Sequence, residues 1–264
     1  MTDYLIFVAI GISMGLFGGL LGIGGSVVMI PALVLAFGEN QHLYQASAMI
    51  CNFFVSAAAT IAHKKQEILV GSVVKYMVPA SAVGSIGGVF LSNAPLFSHG
   101  KSYVLAHVFG LFLIYVIYHN AVRLYRDYRP RPEHTRRQMK DSALLSIIIG
   151  FVTGIAGGLL GIGGGAVCVP LQQVLLKMPL KKAIANSAAT IILIAVVGSI
   201  LKNATLYQHN IAVTESIRIA AIVIPSAAIA GFAGARLMHV LPKRYVRMAF
   251  IGLLVLASYK MLTA

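Results

Sequence analysis

Apolar residues in this chain run in long blocks separated by short polar ones. The blocks fall near residues 4–37, 45–62, 72–91, 102–122, 142–176, 184–201, 217–238 and 245–263. A bilayer core of about 30 Å takes roughly 20 apolar residues per spanning helix. The blocks 4–37 and 142–176 are too long for one simple span, and glycines interrupt both. Each therefore predicts a hairpin of two helical arms around a glycine break. The longest polar stretch, 123–141, holds seven Arg and Lys residues with Pro130 and Pro132. Such a basic, proline-bearing linker is expected in the cytoplasm, joining a first transmembrane repeat (1–122) to a second (142–264).

The two repeats are related. Gly18-Gly-Leu-Leu-Gly-Ile-Gly-Gly25 recurs as Gly157-Gly-Leu-Leu-Gly-Ile-Gly-Gly164, an offset of 139 residues that also carries Pro31 onto Pro170 and Ala46 onto Ala185. Eight identical residues with a proline in register mark an internal duplication. Further on, Pro79 pairs with Pro225, 146 apart, so the second half has gained a few loop residues.

Basic residues bear on orientation. With the linker inside and the halves inverted, 17 of the 21 Lys and Arg fall inside, leaving Lys101, Lys202, Arg218 and Lys260 outside. Parallel halves would split the charges 13 to 8. The positive-inside bias favours inversion, with parallel halves of eight simple spans as the alternative. The fold class is thus an all-α polytopic membrane protein of two homologous halves, expected as inverted repeats.

Composition narrows the class further. Apolar residues make up 58% of the chain and charged residues 11%. Soluble domains carry about a quarter charged residues, so a soluble enzyme and a disordered chain are both excluded. The net charge of +14 does not point to nucleic acid, because the basic residues sit in short loops between apolar blocks. Membrane lipid is the expected surrounding. Met1 to Tyr4 lacks the positive start of a cleaved signal, so the first block is expected to be retained. Cys51 and Cys168 lie in apolar blocks without metal-ligand spacing, and no cofactor or metal is implied.

The glycine breaks carry the candidate chemistry. Irregular backbone in a membrane is tolerated where protein buries it or water-filled cavities meet it. After each break a new helix begins, at Ser26 and at Gly165. Free N–H groups and the helix dipole at such ends suit an anion. Gly24, Gly25, Ser26, Gly163, Gly164 and Gly165 are therefore candidate substrate-binding residues; close helix packing is the competing use of the glycines. Ser47, Asn52, Ser56 and Thr60 lie on the second block, and Asn186, Ser187 and Thr190 on the sixth. Ser47, Asn186, Ser187 and Thr190 are candidate side-chain contacts, with interhelical or i−4 hydrogen bonding as the alternative. Arg236 could grip a sulfonate or snorkel to the interface. Lys75 and His107 are weaker candidates. No Asp or Glu lies deep in any block, so no cation-binding carboxylate is available for coupling. No nucleophile–base, His-x-x-x-His or paired-carboxylate set occurs in the spans, which argues against an enzyme.

The paired Gly-Gly-Leu-Leu-Gly-Ile-Gly-Gly segments, Asn186-Ser187-Ala-Ala-Thr190 and Gly231-Phe-Ala-Gly-Ala-Arg236 resemble the TauE/SafE family of permeases, or sulfite exporters, over nearly the whole chain. The first half departs from the pattern: Gly84-Ser-Ile-Gly-Gly-Val-Phe90 has no arginine. The resemblance implies a cytoplasmic-membrane carrier of a small sulfur-containing anion such as sulfite, sulfoacetate or another sulfonate. An anion channel of the same architecture is the alternative. Coupling ion, direction and oligomeric state do not follow from it.

Overall fold

The computed structural model describes residues 2–64, 68–94, 102–127, 142–238, 240 and 243–263. Most of the 123–141 linker, Lys101 and Tyr128 lie outside them. Ten α-helices follow one another among these residues: α1 (Thr2–Leu21), α2 (Ser26–Phe37), α3 (Gln41–Lys64), α4 (Gly71–Ser92), α5 (Ser102–Asp127), α6 (Ala143–Leu160), α7 (Gly165–Leu175), α8 (Leu180–Thr205), α9 (Val213–Leu237) and α10 (Lys243–Thr263). A 3-10 turn, Leu206–His209, extends α8. The over-long blocks become α1–α2 and α6–α7, and each of the other six becomes one helix. Seven of these helices are long and apolar enough to cross a membrane. Large side chains such as Phe90 (67% exposed), Ile229 (73%) and Leu256 (68%) face outward, which suits lipid and not water. The chain is a multi-pass integral membrane protein.

Both glycine-broken blocks are hairpins or reversals. Phe37 at the end of α2 stacks on Phe7 near the start of α1, with ring centroids 4.8 Å apart. The α2 arm therefore returns along α1. A cavity of about 330 Å³ lined by Asp3, Tyr4, Phe37, Leu43 and Glu215 gathers the starts of α1, α3 and α9 with the end of α2. We name this the α1 end. His42 stacks on His209 at 3.6 Å, which brings the finish of α8 to the same end. At the opposite, linker end the Val70 N–H donates to Asn186 Oδ1 at 2.9 Å, joining the starts of α4 and α8.

Small residues set the helix pairs. Gly11, Gly15 and Gly19 of α1 meet Val223, Ala227 and Gly231 of α9 in parallel register, and a Cβ at any of them would strike the α9 backbone. Gly150, Gly154 and Gly158 of α6 meet Met77, Ser81 and Ser85 of α4 in the same manner. Lipid tails are as apolar as leucine, so helices in a bilayer gain little from burying apolar surface against each other. Close backbone approach at small residues supplies the packing instead. The leading glycines of the repeated motif, Gly19 and Gly158, thus serve helix packing rather than the break. The pairs α1·α9 and α6·α4 exchange under the duplication. Corresponding helices α3 and α8 run antiparallel, with Met49 against Gly198. α5 and α10 do likewise, with Gly110 against Met261 and Leu262. A fully buried core of Met14, Met29, Ile30, Leu105, Phe109 and Phe250 fills one side of the bundle.

Candidate substrate-binding site at the crossed helix breaks

Each break is built from glycine because the backbone there turns left-handed. Gly22 and Gly24 have φ of 62° and 79°; Gly161, Gly163 and Gly164 have 71°, 70° and 78°. At Gly24 and Gly163 a β-carbon would be strained by the backbone and would also meet a neighbour, 2.7 Å from the Ile162 carbonyl oxygen for Gly24 and 2.8 Å from Ile191 for Gly163. At Gly165 it would come within 2.5 Å of the Ile23 carbonyl carbon. The two breaks therefore cross in backbone contact. Their depth follows from α3: Asn52, the twelfth of its 24 residues, faces both Gly24 and Gly163. At 1.5 Å per residue the crossing lies about 18 Å from either end of α3.

Asn52 joins the pieces. The Ser26 N–H donates to Asn52 Oδ1 at 3.2 Å, and Asn52 Nδ2 donates to Ser26 Oγ at 2.7 Å. The first-turn amide of α2 is thereby capped by a side chain from α3. The other half has no such cap. The 139-residue offset places Gly165 at the position of Ser26 and Ile191 at the position of Asn52. Two ends of the same ancestry thus differ: α2 begins with its first amide satisfied, and α7 begins with glycine beside an isoleucine.

Gly24, Gly25, Ser26, Gly163, Gly164 and Gly165 come together at the crossing, and all are buried. Ser187 joins them, since its Oγ donates to the Gly22 carbonyl at 2.7 Å and holds the first break. Asn186 lies further along α8 toward the linker end, where its Oδ1 accepts from Val70 and its Nδ2 donates to the Met178 sulfur at 3.4 Å. Ser47 and Thr190 donate back to the carbonyls of Leu43 and Asn186, both at 2.8 Å. Arg236 is not gathered with the others. It is exposed near the end of α9, with its guanidinium 4.3 Å from the Phe232 ring centroid. Lys75 is likewise exposed, over the Tyr76 ring. Cys168 on α7 is buried against Gln172 of the same helix and Met77 of α4, and Cys51 against α9. Tyr115, Tyr118, Tyr125 and Tyr259 point outward, as an aromatic belt does.

Three features escape a reading of the sequence. In the sequence Asn52 is one of several polar residues on its block, and only the fold sets it between both breaks. Lys202 and Arg247, at the edges of apolar blocks, where a charge is expected to reach water, are both only 4% exposed. Arg247 lines a cavity of about 30 Å³ with His119 and Asn120, and this cavity reaches Ile23 at the first break and Ala166 in the first turn of α7. It has room for about one water molecule.

Paired broken helices thus lie inside a bundle whose helices are long and apolar enough to span a membrane. The family model described as Sulfite exporter TauE/SafE matches residues 7–261. The chain belongs to that family. It is similar to the "Probable membrane transporter protein MamO" of Paramagnetospirillum magneticum, 27% identical over 293 residues, covering 100% of this chain and 45% of that protein. It is similar to the "Probable membrane transporter protein YunE" of Bacillus subtilis, 28% identical over 221 residues, covering 75% of this chain and 77% of that protein. A "Probable membrane transporter protein" of Xylella fastidiosa is 31% identical over 193 residues, covering 71% of this chain and 70% of its own length. The chain spans about half the length of the MamO proteins it matches.

Proposed function

We propose that the chain is a secondary transporter of a small sulfur-containing anion, sulfite or a sulfonate, across the cytoplasmic membrane. The observation that carries this reading is the crossing of two broken helices halfway through the bundle. Broken helices at the midplane suit an anionic group, because a half-helix start offers N–H donors and a positive dipole end where lipid offers none. The α7 start is the stronger anion site of the two, since Asn52 Oδ1 already occupies the Ser26 amide. Gly163, Gly164 and Gly165 would hold the anion from α7, Gly24, Gly25 and Ser26 would wall it, and Ser187 would fix the first break. The buried Arg247 in the cavity beside Ala166 supports an anionic path from the linker end.

The antiparallel pairing of α3 with α8 and of α5 with α10 supports inverted halves. So does the charge pattern: Lys64, Lys75, Lys177, Lys181, Lys182 and Arg236 lie on the linker side, which the positive-inside rule assigns to the cytoplasm. Closed burial of the crossing favours a carrier with alternating access over an open channel. The test is exchange in proteoliposomes. Labelled sulfoacetate should enter saturably and faster when the same anion is loaded inside. Linear flux with no trans-stimulation refutes the carrier, and no flux of any sulfur anion refutes the substrate class.

A further inference from the structure

Lys202 stands near the end of α8, eleven residues past Ile191, and so about 16 Å from the crossing toward the α1 end. A charge this deeply buried is costly unless something compensates it. Its partners are neutral. Nζ donates to Gln45 Oε1 on α3, to Ser92 Oγ on α4 at 3.0 Å and to the Leu159 carbonyl on α6 at 3.4 Å. Among the described residues the carboxylates of Asp3, Glu39 and Glu215 are all exposed.

The surroundings are short of acceptors rather than donors. Gln45 gives its oxygen to the ammonium, and its buried Nε2 has no partner. While Nζ carries its charge, turning the amide over would set an NH2 against an NH3+, so the unclaimed donor then stays beside the cation. Gln45 also packs on Gly161, its Cβ 2.7 Å from where a Gly161 β-carbon would stand. Lys202 thus sits behind the α6–α7 break.

The other half shows that the fold does not require this set. Under the 139-residue offset Gln45 corresponds to Ile184, which packs on Gly22 as Gln45 packs on Gly161. Lys202 corresponds to His63, and under the 146-residue offset of the prolines Ser92 corresponds to Met238. One break has an isoleucine, a methionine and the buried His63 at these positions, the other an amide, a hydroxyl and a buried ammonium. Packing alone does not call for the difference.

We propose that Lys202, the Gln45 amide and the Ser92 hydroxyl form a second anion-binding site, where a small oxyanion is held between the α1 end and the crossed breaks. The proposal rests on the anion-transport reading above. An oxyanion supplies the missing negative charge to Nζ and accepts from Gln45 Nε2 with a neighbouring oxygen.

The test is thermal unfolding of purified, detergent-solubilised protein titrated with sulfite, sulfate, methanesulfonate, chloride and acetate. Wild type should be stabilised selectively by a sulfur oxyanion. Lys202→Met should unfold near the wild-type temperature without ligand, because the desolvation cost of the buried charge that is removed offsets the loss of its three hydrogen bonds. It should need about tenfold more anion or more for half-saturation. Lys202→Arg should bind within about threefold of wild type, since the charge is kept. Wild-type affinity in Lys202→Met overturns this site alone. Should Lys202→Met not fold, Gln45→Ile, the residue of the other half, carries the test, and unchanged affinity there overturns the site. Silence of wild type across the panel refutes the anion reading itself.

Discussion

Replacing Asn52 by isoleucine gives the first break the side chain that the second already has. The substitution removes two buried hydrogen bonds, the 3.2 Å bond from the Ser26 amide and the 2.7 Å bond to the Ser26 hydroxyl. The amide has no water to turn to, and an orphaned buried donor costs about 1–3 kcal/mol. The hydroxyl can turn back to its own helix, so its loss is about 1 kcal/mol. Asn52→Ile should therefore destabilise the protein by about 2–4 kcal/mol. Adding Ser26→Gly reproduces the Gly165–Ile191 pair and removes the hydroxyl, so the double variant should regain about 1 kcal/mol of that loss. The assay is reversible unfolding of wild type, both single variants and the double variant in mixed SDS–lipid micelles, read as a double-mutant cycle. Additive effects at positions 26 and 52 would refute the bond between Asn52 Nδ2 and the Ser26 hydroxyl, and a cost of Asn52→Ile below about 1 kcal/mol in the Ser26→Gly background would refute the cap on the amide, which glycine keeps.

Gly24→Val and Gly163→Val should each abolish proteoliposome exchange while leaving some protein in the membrane, because both positions combine positive φ with a neighbour under 3 Å; normal flux in both sinks the crossing as the site. Ser187→Ala removes the bond to the Gly22 carbonyl and should cost about 1 kcal/mol in the same unfolding assay. Ser47→Ala and Thr190→Ala, which lose only bonds to their own helices, should stay within about 0.5 kcal/mol of wild type. Arg236→Gln should leave exchange unchanged, and a loss of transport would return the arginine to the binding machinery. Single cysteines at the exposed Glu39 and at Lys181 should react with an impermeant thiol reagent from opposite sides of sealed vesicles; labelling of both from one side would refute inverted halves.

Length and composition made the helices legible. A bilayer demands about 20 apolar residues per crossing, so block boundaries nearly coincide with helix boundaries. The breaks were legible for a related reason: a block too long for one span and cut by glycine has few other solutions. Division of labour within the glycine motif was not legible. Gly19 and Gly24 look alike in sequence, yet one lets α9 approach and the other turns the chain. The duplication suggested two equivalent helix starts. The structure separates them through Asn52 and Ile191, a single exchange whose effect depends on what lies 26 residues away in each half. A charge at the edge of an apolar block usually reaches water, so nothing in the sequence pattern marks Lys202 and Arg247 as buried. Their burial follows from the neighbours, Gln45 and Ser92 for the one and the α7 cavity for the other.

The proposed function requires the anion at the crossed breaks. A crystal structure with 2-bromoethanesulfonate, located by bromine anomalous scattering, addresses this directly. The sulfonate should lie at the first turn of α7, halfway through the bundle, within hydrogen-bond reach of the Gly165 and Ala166 amides. A sulfonate bound only at the surface, with the Gly24–Ile162 and Gly165–Ile23 contacts still closed, would contradict it.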